Sequence, residues 1–143
     1  MATRFGLLIL NGLVAISAIA GAIWVVPTMP MEWIKYGPFT DWTIPAIALG
    51  AVGVFAAVVF VALLARPWLG ALGSILAGVA MVIFELVEIG VVGWTLGDPT
   101  LAGFQKSLQL VYLVVGSAQA FLGWRLWLST RAAAPPLPVL HPA

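Results

Sequence analysis

The 143-residue sequence contains no cysteine and one histidine, His141. Without cysteine the chain has no disulfide, no thiolate nucleophile and no cysteine-ligated metal. The one histidine lies in the C-terminal tail, away from the apolar stretches, so we expect no histidine-based metal or haem centre. We therefore expect no metal and no cofactor, and any chemistry has to depend on carboxyl, amide or hydroxyl groups.

Charged residues are also scarce, at 8% of the chain, whereas hydrophobic residues make up 63%. A soluble domain has about a quarter of its residues charged, so this composition cannot cover a water-facing surface. Six Lys and Arg residues against five Asp and Glu residues give a net charge of +1, which is too small to indicate a nucleic-acid partner. The composition predicts an integral membrane protein whose main partner is the lipid bilayer.

Four apolar stretches each approach the length of about 20 residues that a transmembrane helix needs, and turn-forming residues separate them. The first stretch also has the layout of a signal peptide, but we interpret it as a retained helix. The predicted spans are residues 5–26, 44–64, 72–94 and 107–128. They predict an all-α, four-helix antiparallel bundle in one domain, residues 1–131, followed by a disordered Pro-rich tail at 132–143.

Basic residues predict the orientation of this bundle. Lys and Arg favour the cytoplasmic side of short loops, and four alternating spans bring all four arginines to one end. These arginines are Arg4, Arg66, Arg125 and Arg131, whereas Lys35 and Lys106 fall at the other end. Both termini are therefore predicted to be cytoplasmic.

Each predicted helix carries one stripe of small and polar residues at steps of three and four, which places the stripe on a single helix face. Between helices in lipid, water supplies no driving force, so association depends on close packing and polar contacts. We expect the stripes to face the bundle interior. Their members are Asn11, Ala15, Ala18 and Ala22; Ala46, Gly50, Gly53 and Ala57; Ser74, Gly78, Met81, Glu85, Glu88 and Val92; and Gln105, Gln109, Tyr112, Gly116, Gln119 and Gly123.

Glu85 and Glu88 are the only charged residues without a position near the end of a span. An ionised carboxylate that faces hydrocarbon costs several kcal/mol, so both should face inward. Two carboxyl groups this close in a low-dielectric interior are not both ionised at neutral pH, and we expect the pair to hold a proton. Equal counting from the turn at residues 97–99 places Glu85 level with about Gly116 and near Ser117, with Tyr112 as the expected hydrogen-bond donor.

The predicted site is this acid pair with polar and aromatic side chains around it. Glu85, Glu88 and Tyr112 are the candidate catalytic or proton-carrying groups. The candidate substrate-binding residues are Asn11, Met81, Phe84, Trp94, Gln109 and Gln119. Alternatively, the acids are protonated and only join the third helix to the fourth.

The connection at residues 27–43 is too aromatic for a plain linker. Glu32 and Lys35 are three residues apart and can pair on a short interfacial helix, while Asp41 is placed to cap the second span. This segment is either an anchor at the headgroup boundary or a lid over Glu85 and Glu88.

Residues 38–45 read Pro-Phe-Thr-Asp-Trp-Thr-Ile-Pro. This run resembles a Pro-Phe-x-Asp-aromatic-Thr-Ile/Val-Pro segment of small uncharacterised bacterial four-span membrane proteins. In length and hydropathy the chain is also similar to the broad class of DoxX-like four-helix proteins. The resemblance implies a multi-pass protein of the bacterial cytoplasmic (inner) membrane, and it implies no reaction.

Three functions are consistent with these features. The first is binding or transport of a hydrophobic or cationic small molecule that Glu85 and Glu88 exchange for a proton; a transporter this small would act as a homodimer. The second is a cofactor-independent isomerase or cyclase, with Glu as general acid and base toward an isoprenoid, lipid or polyketide-like substrate. The third is an accessory structural membrane subunit. No phosphate loop, nucleophile elbow or metal motif favours a kinase, hydrolase or metalloenzyme.

Overall fold

A computed structural model shows four α-helices among the residues that it describes. It describes residues 1–28, 31, 39–92 and 99–132, apart from the side chains of residues 87, 88, 90–92, 99–106 and 108. The helices are α1 (Ala2–Thr28), α2 (Thr43–Ala65), α3 (Pro67–Val92) and α4 (Pro99–Ala132). The predicted all-α architecture is thus confirmed for the described residues. Ala132, the first residue of the predicted tail, is the last residue of α4, and the rest of the tail, residues 133–143, lies outside the described residues.

Among the described residues, α1, α2 and the part of α3 from Pro67 to Leu86 are long and apolar enough to cross a membrane. The fourth predicted span, residues 107–128, lies inside α4. The described part of α4 is more polar than the other helices, because it includes Gln109, Gln119 and Arg125. Its assignment as a fourth span stays a prediction.

The helix ends follow local chemistry. The N–H of Thr43, the first residue of α2, donates to Oδ1 of Asp41 at 2.8 Å. Trp42, not Asp41, occupies the N-cap position, and it makes no side-chain capping hydrogen bond. Asp41 therefore binds the first turn from one position before the predicted cap. Only Arg66 separates α2 from α3, which begins at Pro67 rather than at residue 72. Proline suits a first helical position because an N–H there would have no partner within the helix. The same reason lets α4 begin at Pro99 rather than at residue 107.

The helices pack around a common interior. α1 packs most extensively on α2, and α3 packs most extensively on α4. Smaller contacts join α2 to α3 and α1 to α4, so each helix has two neighbours around the bundle. Within the described residues, α1 and α3 touch at few positions and α2 does not touch α4. Helices that are neighbours therefore lie antiparallel around the bundle, as the contacts of Gly6 with Leu122 and of Gly73 with Val59 illustrate.

Three glycines, Gly78, Gly116 and Gly123, allow the close approach of α3 and α4. A Cβ atom placed on Gly123 would lie 2.8 Å from the carbonyl oxygen of Ala71. A Cβ atom placed on Gly78 would overlap the carbonyl oxygen of Gly116 and lie 2.5 Å from the nitrogen of Ala120. A Cβ atom on Gly116 would lie 2.9 Å from the carbonyl oxygen of Gly78. Because these gaps hold no room for a side chain, the two backbones pack directly on each other, as small residues permit between helices in lipid.

The predicted stripes face the interior. Large aliphatic and aromatic side chains cover the outside instead, for example Ile16, Val58 and Phe121. This distribution suits a bundle whose exterior is hydrocarbon. The buried stripe members are Asn11, Ala15, Ala18, Ala46, Gly53, Ser74, Gly78, Met81, Glu85, Gln109, Gly116, Gln119 and Gly123.

The apolar core forms two clusters along the bundle axis. The first lies near the end of the bundle that carries the arginines, which we call the arginine end; its members are Leu7, Val59, Leu63, Ala71 and Leu126. The second lies nearer the middle; its members are Val14, Ala15, Ala56 and Met81. The polar side chains of the interior therefore occupy separate levels between and beyond these clusters.

Candidate functional site

Two polar layers occupy the interior of the bundle. We call the first the Asn11 layer, which consists of Asn11, Ser74 and Gln119. The second is the Glu85 layer, which consists of Glu85, Gln109 and Tyr112. Since a helix rises 1.5 Å per residue, Ser74 and Glu85 on α3 lie roughly 16 Å apart along the axis. The two layers are therefore separate sites.

The Asn11 layer joins three helices. Nδ2 of Asn11 donates to the carbonyl oxygen of Leu7 at 2.9 Å and to Oγ of Ser74 at 3.2 Å. Its Oδ1 accepts a hydrogen bond from Nε2 of Gln119 at 3.2 Å. All three side chains of the layer are fully buried. Oε1 of Gln119 accepts no hydrogen bond from the described residues, so the layer retains one buried acceptor.

The Glu85 layer lies toward the opposite end of the bundle from the arginines. Glu85 is 4% exposed and Gln109 is 2% exposed. Tyr112 is partly buried and packs against the core cluster that contains Met81. Each of the three residues of the layer takes part in at least one interaction with its surroundings. A carboxyl group, an amide and a phenol are thus held at one level inside the bundle.

The register of α3 on α4 differs from the prediction. Equal counting from the turn placed Glu85 level with Gly116, and Ser117 close to it. In the structure Gly116 lies instead against Gly78, Met81 and Val82, and Ser117 is exposed. The prediction was wrong because the close approach of the two glycines, not an equal count from the turn, sets the register. Continuing this register along the helices puts Glu85 level with Gln109 and Tyr112.

The other predicted site residues are distributed over several places. Asn11 and Gln119 are buried but belong to the Asn11 layer, away from Glu85. Met81 is 7% exposed and lies between the layers, whereas Phe84 is 49% exposed and faces outward. The side chain of Glu88, the whole of Trp94 and the predicted pair of Glu32 and Lys35 lie outside the described residues, as does most of the predicted lid.

The arginine end carries a contact that the sequence did not predict. Nε of Arg4 donates to the carbonyl oxygen of Leu63 at 2.9 Å, and Nη2 donates to that of Leu64 at 3.0 Å. These carbonyls belong to the last turn of α2, where the helix itself supplies no donors. Arg4 therefore ties the start of α1 to the end of α2. No local signal could have found this contact, since its partners are far apart in sequence.

A groove at the same end is a second feature that sequence reasoning missed. It lies between the first turns of α3 and the last turns of α4 and has a volume of about 430 Å³. Its lining residues are Pro67, Trp68, Leu72, Trp127, Thr130 and Arg131. The only sequence signal was the presence of tryptophan and arginine near both helix ends.

In the described part of the chain, no three His, Cys, Asp or Glu side chains lie close enough together to bind a metal ion. Compared with protein-family models, with curated proteins and with solved structures, the chain has no match. Its function therefore has to be argued from the chemistry of the two layers and of the arginine end.

Proposed function

We propose that this protein is a multi-pass membrane protein that binds a hydrophobic or cationic small molecule at the Glu85 layer and exchanges it for a proton. In this proposal α4 is the fourth span of an antiparallel bundle in a bacterial inner membrane, and both termini are cytoplasmic. Two resemblances belong to the same proposal: that of residues 38–45 to small bacterial four-span membrane proteins, and that of the length and hydropathy of the chain to DoxX-like proteins. Large apolar side chains outside the bundle and small and polar ones inside support the membrane placement.

Burial of the Glu85 carboxyl group, at 4% exposure, carries the proposal. The Asn11 layer provides the comparison, because uncharged amide and hydroxyl groups join three helices there. An ionised carboxylate costs more in an apolar interior than an amide does. Helix association therefore does not require an acid at position 85, because a neutral polar side chain would suffice. Proton exchange does require an ionisable group, and the Glu85 carboxyl group provides one.

Protonation and cation binding compete for the same carboxyl group. The protonated form is neutral and suits a low-dielectric interior, while the ionised form attracts a cation in place of the proton. At the same level, Tyr112 offers a ring face to a cation, and Gln109 offers an amide. A higher pH removes the competing proton and favours the cation. Transport, as distinct from binding, would use two copies of the chain.

Binding of tetraphenylphosphonium, a lipophilic cation, to the purified full chain in detergent tests the proposal. Calorimetry between pH 6 and pH 8 should show tighter binding at higher pH, approaching about tenfold per pH unit, the limit for displacing one proton. Glu85→Gln keeps the size of the side chain but cannot ionise, so binding should weaken and its pH dependence should disappear. The same measurement on Glu88→Gln shows whether the second acid contributes.

Asp41→Asn is the matched control, since it neutralises an exposed acid and retains an oxygen to accept the hydrogen bond of Thr43. This variant should bind the cation as the wild type does. Binding that responds neither to pH nor to Glu85→Gln, in a variant with wild-type helix content, contradicts the proposal and favours an accessory structural role. An equal loss in Glu85→Gln and Asp41→Asn also contradicts it, because only overall charge would then matter.

A further inference from the structure

The groove at the arginine end is separate from both polar layers and combines an apolar wall with a charged rim. Pro67, Trp68 and Leu72 of α3 form one wall, and Trp127, Thr130 and Arg131 of α4 form the other. Its volume of about 430 Å³ lies within the range of roughly 300–1,000 Å³ that small-molecule sites occupy. The groove is therefore large enough for part of an amphipathic molecule.

Arg131 is held at the rim by aromatic stacking. Its guanidinium carbon lies 3.9 Å from the centroid of the Trp127 ring, a close cation–π contact. The Trp127 ring in turn packs on Trp124, with 5.2 Å between the ring centroids. Because a stacked guanidinium keeps its edge donors available in the ring plane, Arg131 presents hydrogen-bond donors at the groove in a defined position.

The charge around the groove has one sign. Residues 60–73 and 120–132 contain Arg66, Arg125 and Arg131 but no Asp or Glu. Arg4 lies at the same end, but it donates to the carbonyls of Leu63 and Leu64. Arg125 lies 6.0 Å from the Phe121 ring and does not line the groove. The rim of the groove is therefore positively charged and favours an anionic ligand. Among the residues that line the groove, Arg131 carries this charge.

We propose that this groove binds one anionic phospholipid, with its phosphate at Arg131 and its glycerol and upper acyl carbons between Trp68, Leu72 and Trp127. Tryptophan and arginine at the ends of spanning helices lie at the headgroup boundary, where phosphate and acyl chain meet. Basic pockets between helices on the cytoplasmic side bind anionic headgroups. The groove site depends on the proposed membrane placement but not on the Glu85 layer.

Native mass spectrometry tests whether the groove prefers an anionic to a zwitterionic phospholipid. The full chain is released from detergent with added dioleoylphosphatidylglycerol, which is anionic, or dioleoylphosphatidylcholine, which is zwitterionic. The wild type should bind the first phosphatidylglycerol about fivefold more tightly than phosphatidylcholine, the factor expected for one arginine near a phosphate. Arg131→Gln should bring the ratio close to one. Leu72→Trp, which fills the groove without altering charge, should weaken binding of phosphatidylglycerol.

Arg125→Gln is the matched control, because it removes the same charge from the same end of α4 but leaves the groove lining intact. This variant should retain the wild-type ratio. Equal losses in Arg125→Gln and Arg131→Gln would overturn the proposal in favour of diffuse attraction, and a ratio unchanged by Arg131→Gln would overturn it directly.

Competition with free phosphate and a charge-preserving variant test the groove in two further ways. Millimolar inorganic phosphate should not displace the bound lipid; displacement would assign the groove to free phosphate and overturn the lipid site.

If Arg131→Gln fails to fold, Arg131→Lys keeps the charge and loses the planar stack, so its ratio of phosphatidylglycerol to phosphatidylcholine binding should fall between one and that of the wild type. An unchanged ratio in Arg131→Lys together with wild-type binding in Leu72→Trp would overturn the groove. A lipid preference that persists in Glu85→Gln separates this site from the proposed cation site.

Discussion

Nε2 of Gln119 donates a hydrogen bond to Oδ1 of Asn11 at 3.2 Å, although 108 positions separate the two residues in the sequence. Asn11 also donates to Ser74, so one buried side chain connects the first helix to the third and the fourth. In the proposed membrane placement, lipid offers neither residue an alternative partner. The Asn11 layer is therefore a structural link that closes the bundle, and the Glu85 layer is left as the candidate for chemistry.

Replacing Asn11 with Ala should lower the free energy of unfolding by about 1–2 kcal/mol, because it removes both interhelical hydrogen bonds and leaves the buried amide of Gln119 without an acceptor. Denaturation in mixed micelles, followed by circular dichroism, measures this change. Ser17→Ala is the control, since the Ser17 hydroxyl donates to Val14 within its own helix. Equal effects in both variants would show that the Asn11 layer does not hold the helices together.

Gly78→Ala should destabilise the bundle by about 1–3 kcal/mol, the usual cost of overpacking, because the new methyl group would overlap the backbone of Gly116. The same denaturation experiment applies. In Gly6→Ala, by contrast, the new Cβ would lie 3.7 Å from Cδ1 of Leu122, an ordinary contact, so the stability should stay close to that of the wild type. If Gly78→Ala is as stable as Gly6→Ala, the close backbone approach is not what joins α3 to α4.

Arg4→Gln should destabilise the end of α2 by about 1–2 kcal/mol, because the carbonyls of Leu63 and Leu64 lose charge-assisted hydrogen bonds at a helix C-terminus. Hydrogen exchange measured by mass spectrometry should show faster exchange in the last turns of α2. Arg66→Gln removes an exposed arginine from the same end and should leave this exchange unchanged. Faster exchange in Arg66→Gln alone would contradict the assigned role of Arg4.

Cysteine labelling tests the proposed orientation and the fourth span together. Because the chain has no cysteine, each introduced cysteine is a unique reporter. On intact bacterial cells that express the protein, a membrane-impermeant maleimide should label Thr40→Cys, an exposed position just before α2, and should reach Ala132→Cys only after permeabilisation. Labelling of both positions in intact cells would show that α4 does not cross the membrane, and the reverse pattern would invert the orientation.

Some of the site was predictable because its determinants are local. Glu85 and Gln109 belong to stripes at helical spacing, and both are buried as their stripes predict. The partner of Glu85 across the bundle was not predictable by counting from a turn, because a shift of one helical turn leaves the same stripe facing inward. The close contacts of Gly78 with Gly116 and of Gly123 with Ala71 decide between such registers.

By itself, the sequence determined the number of helices, the turn at Arg66 and the face that each helix buries. Apolar periodicity, proline at a first helical position and an aspartate before a helix are all short-range signals, so they can be read along the chain. Only the tertiary structure decided the α3–α4 register, the Asn11 layer, the contact of Arg4 with α2 and the groove beside Arg131. Each of these depends on which backbones come close across the bundle, and close packing between distant segments has no signature within any one of them.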